Sequence, residues 1–283
     1  MHYRAKERRI VSPVYAFTIS DTKVALVKDL AIQNILMLDR IHVEGRTNIS
    51  VGPIRKQVRF TEEDIHGHLE GYIAGPVRLV IRSRACVDLG LGMCSPEVMC
   101  DRFYYAYYAK VPACLLVRFP VHEASLVLAA DYQRSPFRRM LIGSDQGITV
   151  WEKGTTKSPP PQGWQNGKWM ALDSDHGSVV SYLTPPQALT GHTEVRPYLD
   201  FGPETAERSG PNTTQPGKVG FKIAALPGAP KGKYVVYGTY VISDQPYRPG
   251  DGARALDLEA DPLKARVSRR FGSDTGSPDS PMG

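Results

Sequence analysis

The sequence predicts an all-β domain, and three observations carry that prediction. Apolar residues alternate at the strand period along most of the chain, Gly 26 and Pro 23 are scattered at short intervals, and no segment shows a clean helical period. Many short strands joined by turns fit this pattern better than long helices.

Taken in chain order, the first apolar segment is the least decisive. In "DLAIQNILMLDRI", residues 29–41, Leu30, Ile32, Ile35, Leu36 and Leu38 match neither the helical nor the strand period. This is the only helix candidate, and its type stays open. The next segment, "HLEGYIAGPVRLVIRSRACVDLGLGMC" (68–94), contains "VRLVIR", which puts Val77, Leu79 and Ile81 on one face and Arg78 and Arg82 on the other. Gly71, Gly75, Gly90 and Gly92 read as architectural, easing a strand that twists and leaves its sheet, while Pro76 removes a backbone donor where pairing can spare it.

Further along, "MLIGSDQGITVWE" (140–152) reads as two strands about the turn Ser144-Asp145-Gln146-Gly147. "YVVYGTYVI" (234–242) is β-branched and aromatic on both faces, which predicts a central strand covered on both sides; Gly238 within it points to a bulge or a close approach. "PGAPKGK" (227–233) and "RPGDG" (248–252) are turns. Two segments exceed the usual connection length and read as loops, residues 152–169 and 201–218. Residues 1–267 are expected to form one β domain, with 268–283 a disordered tail too poor in apolar residues to fold.

The formal charge of +6 raises the question of nucleic acid, and its distribution argues against it. Residues 1–10 carry a net +3 and residues 264–270 a net +4, which leaves about −1 on the rest of the chain. A nucleic-acid-binding domain normally carries its basic excess on a folded face. Nothing spans a bilayer either, because no run of about 20 apolar residues exists. The start has no apolar stretch of the kind a signal peptide needs, so the chain reads as cytoplasmic as written, or exported if a signal is missing.

Side chains capable of chemistry occur in several groups. Cys86, Cys94, Cys100 and Cys114 lie in one stretch without a C-x-x-C pair, so buried free thiols are expected rather than zinc ligands. His66 and His68 flank a glycine; on a strand they share a face and are the weak candidates for metal, although no metal or other cofactor is expected. The run "DRFYYAYYAK" (101–110) offers Tyr105 and Tyr107 as a stacking platform for sugar rings; Trp151, Trp164 and Trp169 bracket the first long loop, with Trp164 and Trp169 as further ligand-binding candidates. Core packing is the competing reading for each of these aromatics. Asp175, His176, His192 and Glu194 are the catalytic candidates, a carboxylate and histidine set from which general acid/base work on a sugar could be built. No nucleophile elbow, phosphate loop, dinucleotide fingerprint or zincin helix is present.

The strand "EGYIAGPVRLVIR" (70–82) resembles the "GPVR" strand of super-β-sandwich domains of the galactose mutarotase and polysaccharide lyase kind. The pieces "WMALDSDHGSVVSYLTPP", "VGFKIAALPGAPKGKYVVYGTYV" and "YRPGDGARALDLEADPLKARV" follow in an order similar to the closing strands of such domains. The resemblance covers residues 70–267 in outline and implies a large two-sheet antiparallel β-sandwich with long loops, little helix and a saccharide ligand. The family's catalytic histidine and glutamate match no position here, so activity is not carried over. The resulting expectation is a non-catalytic module binding a carbohydrate or protein partner. The alternatives are a mutarotase- or lyase-like enzyme using an acid/base pair from residues 173–200, or a structural component of an envelope or surface assembly.

Overall fold

The computed structural model describes residues 2–4, 6–12, 15–19, 27–51, 53–60, 65–74, 78–87, 98–105, 110–119, 125–131, 134–152, 164–185, 187–200, 218–230 and 232–260. In chain order the strands are β1 (His2–Arg4), β2 (Arg9–Val11), β3 (Tyr15–Thr18), β4 (Val27–Ile32), β5 (Ile35–Val51), β6 (Ile54–Phe60), β7 (Ile65–Ala74), β8 (Arg78–Val87) and β9 (Val98–Tyr105). They continue with β10 (Lys110–Phe119), β11 (Ser125–Asp131), β12 (Arg139–Ser144), β13 (Gly147–Glu152), β14 (Trp169–Ser174), β15 (Gly177–Thr184), β16 (Thr193–Asp200), β17 (Lys218–Ala225) and β18 (Gly232–Ser243). One helix, α1 (Asp251–Ala260), closes the described chain.

All pairings are antiparallel, and they build two nine-stranded sheets. The first runs β1-β2-β3-β4-β5-β11-β17-β16, with β6 also pairing the far half of β5; the second runs β13-β12-β14-β15-β18-β10-β9-β8-β7. The core lies between them. Phe17, Met37 and Phe221 of the first sheet join Leu172, Val179 and Val236 of the second in one buried apolar cluster, so the fold is an all-β sandwich.

Local chemistry explains the elements that matter most. Residues 29–41, open between helix and strand in the sequence, form the β4–β5 hairpin. Gln33 and Asn34 turn it at φ 48° and 66°, the paired positive values of a type I′ turn; Asp29 stands at φ 49°, and a register shift between Leu30 and Ala31 breaks the apolar alternation. Arg134 then ties the chain entering β12 to this hairpin, donating through Nε to Asp39 at 2.6 Å and through Nη2 to Asp29 at 2.7 Å.

The β12–β13 hairpin turns at Ser144-Asp145-Gln146-Gly147, as its sequence indicates. The β14–β15 hairpin repeats the device with Ser174-Asp175-His176-Gly177. In each, the first serine hydroxyl donates to the glycine carbonyl (3.2 and 3.0 Å) and accepts from the N–H two residues on (3.2 Å in both). Gly177 is required as well as convenient: at φ 150°, a Cβ there would sit 2.4 Å from the Ser243 carbonyl oxygen.

Leu79 and Ile81 are buried and Arg82 is exposed, in keeping with the alternation read in "VRLVIR". The β7–β8 ladder shifts register between Leu69 and Gly71, which places a bulge beside one of the glycines read as architectural. Positions 75–77 and 88–97, with Gly75, Pro76, Gly90, Gly92 and Cys94, lie outside the described residues. β18 is central, between β15 and β10, as expected. Of the two readings of Gly238, a bulge or a close approach, the bulge is not seen: the ladders pass through it without a register shift, and it pairs with Ala113 on one side and Leu183 on the other.

Helix α1 (Asp251–Ala260) stands where part of residues 247–267 is expected from the sequence to continue as a closing strand; residues 261–267 lie outside the described residues. The segment is rich in strong helix formers from Ala253 to Ala260, carries Asp251 in its first turn and has Pro262 just beyond its end. The Gly250 carbonyl accepts the first helical bond from Arg254 at 2.9 Å, and the Asp251 carboxylate accepts the Arg248 N–H at 2.8 Å. The helix packs on the outer face of the second sheet over Leu141, Trp169, Val180 and Tyr182. Among the described residues no helix is long and apolar enough to cross a membrane.

Candidate functional site

A groove of about 500 Å³ opens at one end of the second sheet, lined by Arg138, Arg139, Glu152, Asp173, Ser174, Asp175 and Pro246. That volume falls within the range of small-molecule sites, roughly 300–1,000 Å³. Strand register builds its floor. Glu152 of β13 lies opposite Arg139 of β12, which lies opposite Asp173 of β14, so charges of alternating sign form one row across three strands.

Asp173 is the centre of the row and is 2% exposed. Its Oδ2 accepts from Arg139 through Nε at 2.9 Å and through Nη2, and its Oδ1 accepts the Tyr247 backbone N–H at 2.7 Å. The Asp173 carbonyl also accepts the Arg138 N–H at 2.9 Å. A buried carboxylate requires such partners, and here they fasten two strands to the loop entering α1. Arg139 is half-exposed and has three N–H donors beyond the two it directs at Asp173. At the rim, Arg138 and Asp175 form a well-exposed ion pair at 3.0 Å.

Tyr247 stacks on Trp169 with ring centroids 5.7 Å apart, and its hydroxyl accepts the Gly252 N–H at 3.3 Å. Burial pushes the Tyr247 phenol above its ordinary value of 10.0, the Gly252 N–H opposing and the nearby Asp251 and Asp173 charges reinforcing the shift.

The expected site residues fall in several places. Asp175 and His176 occupy the exposed β14–β15 turn, Asp175 at the groove itself. His192 and Glu194 belong to the other sheet, at the start of β16, where Glu194 lies 3.9 Å from Arg196. No hydrogen bond or ion pair among the described residues joins the two groups. Trp169 is enclosed between strand and helix, 5% exposed; Trp164, in the short 3-10 turn Trp164–Asn166, packs half-buried against the main core. His66 is registered opposite Cys86 and His68 opposite Arg84. Cys100 is registered opposite Ser83 and Leu115, and Cys114 opposite Asp101 and Tyr237, so no two of these three cysteines are cross-strand partners. Among the described residues no group of three or more His, Cys, Asp or Glu could hold a metal ion.

Tyr105 ends β9, and Tyr107 lies outside the described residues. Register places the end of β9 at the groove's end of the sheet. Asp173 pairs with Ser178 and Ser178 with Ser243 of β18, while Lys110, which opens β10, pairs with Val241 two residues away. Arg138, Arg139, Glu152 and Pro246 escape sequence reasoning, because only the ladder register aligns Arg139 with both Glu152 and Asp173. The doublet Arg138-Arg139 at a strand start was the only signal.

No known protein family matches the chain, and no curated protein does. Solved structures do. An α-N-acetylgalactosaminidase, NagBb from Bifidobacterium bifidum, in complex with GalNAc, matches at TM-score 0.58 with 10% identity, over 89% of this chain and 39% of that one. The GH36 α-galactosidase AgaB from Geobacillus stearothermophilus aligns at TM-score 0.42 and 8% identity over 87% of this chain and 41% of that one; the Slr1438 protein from Synechocystis sp. PCC 6803 aligns at 0.48 and 9% over 82% and 93%. The chain thus spans about two fifths of the length of NagBb, and the likeness is one of fold. The β-sandwich implied by the resemblance in the sequence stands at the level of fold.

Proposed function

We propose that this chain is a non-catalytic β-sandwich module that binds a carbohydrate through the polar end of its second sheet. The observation that carries the reading is the fold likeness over 89% of the chain to 39% of a longer glycosidase. A fold that accounts for under half of a sugar-active chain is suited to work as a module within or beside such a chain. The groove supports the same reading. Guanidinium donors and carboxylate acceptors stand side by side there, and a sugar hydroxyl both donates and accepts.

Tyr105 ends β9, four strands from β14 and so roughly 19 Å across the sheet at about 4.8 Å per strand; stacking there, and by Tyr107, would serve a different ring of an extended ligand from the one whose hydroxyls enter the groove. Trp164 and Trp169 stand apart from the groove, Trp169 opposite Gly143 at the other end of β14 and under α1, Trp164 half-buried against the core, so any ligand contact they make belongs to another part of the surface. The scheme calls for no acid/base pair. His192 and Glu194 stand in the other sheet from Asp175 and His176, which favours binding over the enzymatic alternative.

The test is retention on immobilised glycans. The whole chain should be retained and the Tyr105→Ala/Tyr107→Ala double variant should elute early. Equal retention of the two would remove the stacking argument.

A further inference from the structure

The second sheet ends in a strand that lacks the devices by which sheet edges are closed to other chains. At the other path ends, β1 has only three residues, β7 shifts register between Leu69 and Gly71, and β16 carries Pro197 with Glu194 and Arg196 exposed before it. Short length, bulges, proline and charge all discourage pairing with a further strand. β13 has six residues, an unshifted ladder to β12, no proline and a single charge, Glu152, at its end. Among the described residues it pairs with β12 alone.

Its outward residues are apolar. Ile148 is 50% exposed and Val150 is 43% exposed, while Trp151, on the opposite face, is buried in the core. Val150 is registered opposite Leu141, and Ile148 opposite Gly143, which in turn lies opposite Trp169. Leu141 and Trp169 belong to the cluster under α1, so the two exposed side chains continue that apolar face to the rim of the sheet.

A second copy of the same strand fits this edge. An antiparallel pair about a two-fold axis at Thr149 sets Ile148 of each copy opposite Val150 of the other. Glu152 then stands opposite the neutral Gln146, so no like charges oppose each other. An axis one residue further on, at Val150, would set Ile148 against Glu152 and lose the apolar pairs.

We propose that β13 pairs with β13 of a second copy of this chain about a two-fold axis at Thr149, joining the second sheet of each into one continuous antiparallel sheet. The dimer goes beyond the carbohydrate reading and does not depend on it. Six residues per copy is well below the roughly 20–30 residues a side of a stable interface, so the dimer forms only at raised concentration.

The experiment measures the mass of the whole chain by sedimentation equilibrium from about 1 μM to about 1 mM, beside the double variant Ile148→Lys/Val150→Lys. The parent should pass from monomer to dimer across this range. The lysine variant should stay monomeric with an unfolding midpoint close to the parent's, since both positions are exposed. A parent that stays monomeric, or a dimer that the lysines leave intact, would overturn the proposal. Thr149→Cys and Val150→Cys test the same pairing without the lysines, each oxidised beside the parent as control for its 4 cysteines. Directly opposite residues lie within disulfide reach, whereas diagonal neighbours about 7–8 Å apart do not. A covalent dimer of Thr149→Cys alone is therefore expected, and linking of both variants alike or of neither would overturn the axis at Thr149.

Discussion

Asp173 and Arg139 form a cross-strand pair in which a carboxylate that is 2% exposed receives two N–H bonds from a guanidinium that is itself half in solvent. The other carboxylate oxygen receives the Tyr247 backbone N–H at 2.7 Å. One side chain therefore joins β12, β14 and the loop that leads into α1, and holds Arg139 at the groove.

Asp173→Ala should cost about 2–3 kcal/mol. Removing one partner of a fully buried ion pair costs roughly 3–5 kcal/mol, and the solvent access of Arg139 lowers that figure. Urea unfolding should show a lower midpoint with an unchanged slope. A midpoint matching the parent would mean that the loop holds its place without the carboxylate.

Trp169 fits between two glycines. A Cβ on Gly143 would lie 2.0 Å from the indole Cε2, and one on Gly252 would lie 2.3 Å from Cδ2. Gly143→Ala and Gly252→Ala should each destabilise by about 1–3 kcal/mol, the usual cost of overpacking. In a double-mutant cycle with Trp169→Leu, the Gly143→Ala penalty should shrink, because the clash is with the indole itself. Additive effects would place the strain elsewhere.

Alkaline pH should loosen the α1 side of the sheet. The Tyr247 phenol is raised above 10.0 mainly by burial, so the folded state holds its proton more tightly than the unfolded state. The resulting stabilisation is fully present below about pH 10 and is lost as pH rises through the folded value. Tyr247→Phe should flatten this part of the stability profile above pH 10. A parent profile that rises across the same window would contradict the assignment.

The β4–β5 turn should tolerate only residues that accept positive φ. Asn34 stands at φ 66°, so Asn34→Val should lose about 1–2 kcal/mol while Asn34→Gly should match or exceed the parent. Thermal unfolding of the two variants decides it.

Sequence legibility follows the range of the interactions. The β12–β13 hairpin is readable because alternation and a turn ending in glycine are both local, and the central place of β18 follows from apolar residues on both of its faces. Residues 29–41 resist because a register shift between Leu30 and Ala31 breaks the alternation and Gln33-Asn34 is a less familiar I′ turn than Asn-Gly. Helix α1 is missed even though Asp251, the alanines and Pro262 give ordinary helix signals, because the preceding "RPGDG" dominates as a turn. The groove is the least legible feature. Arg139 and Asp173 are 34 residues apart, and only the register of β12 on β14 makes them partners. Asp175 could be singled out as an acid beside a histidine, but its partner Arg138 comes from the strand entry on the far side of a hairpin.

The most direct test of the central claim is a glycan-array screen of the purified whole chain, with heat-denatured protein as control. Specific retention of saccharides by the folded chain alone is the predicted result. Equal signal from folded and denatured protein, or no saccharide bound across a broad array, would contradict the account.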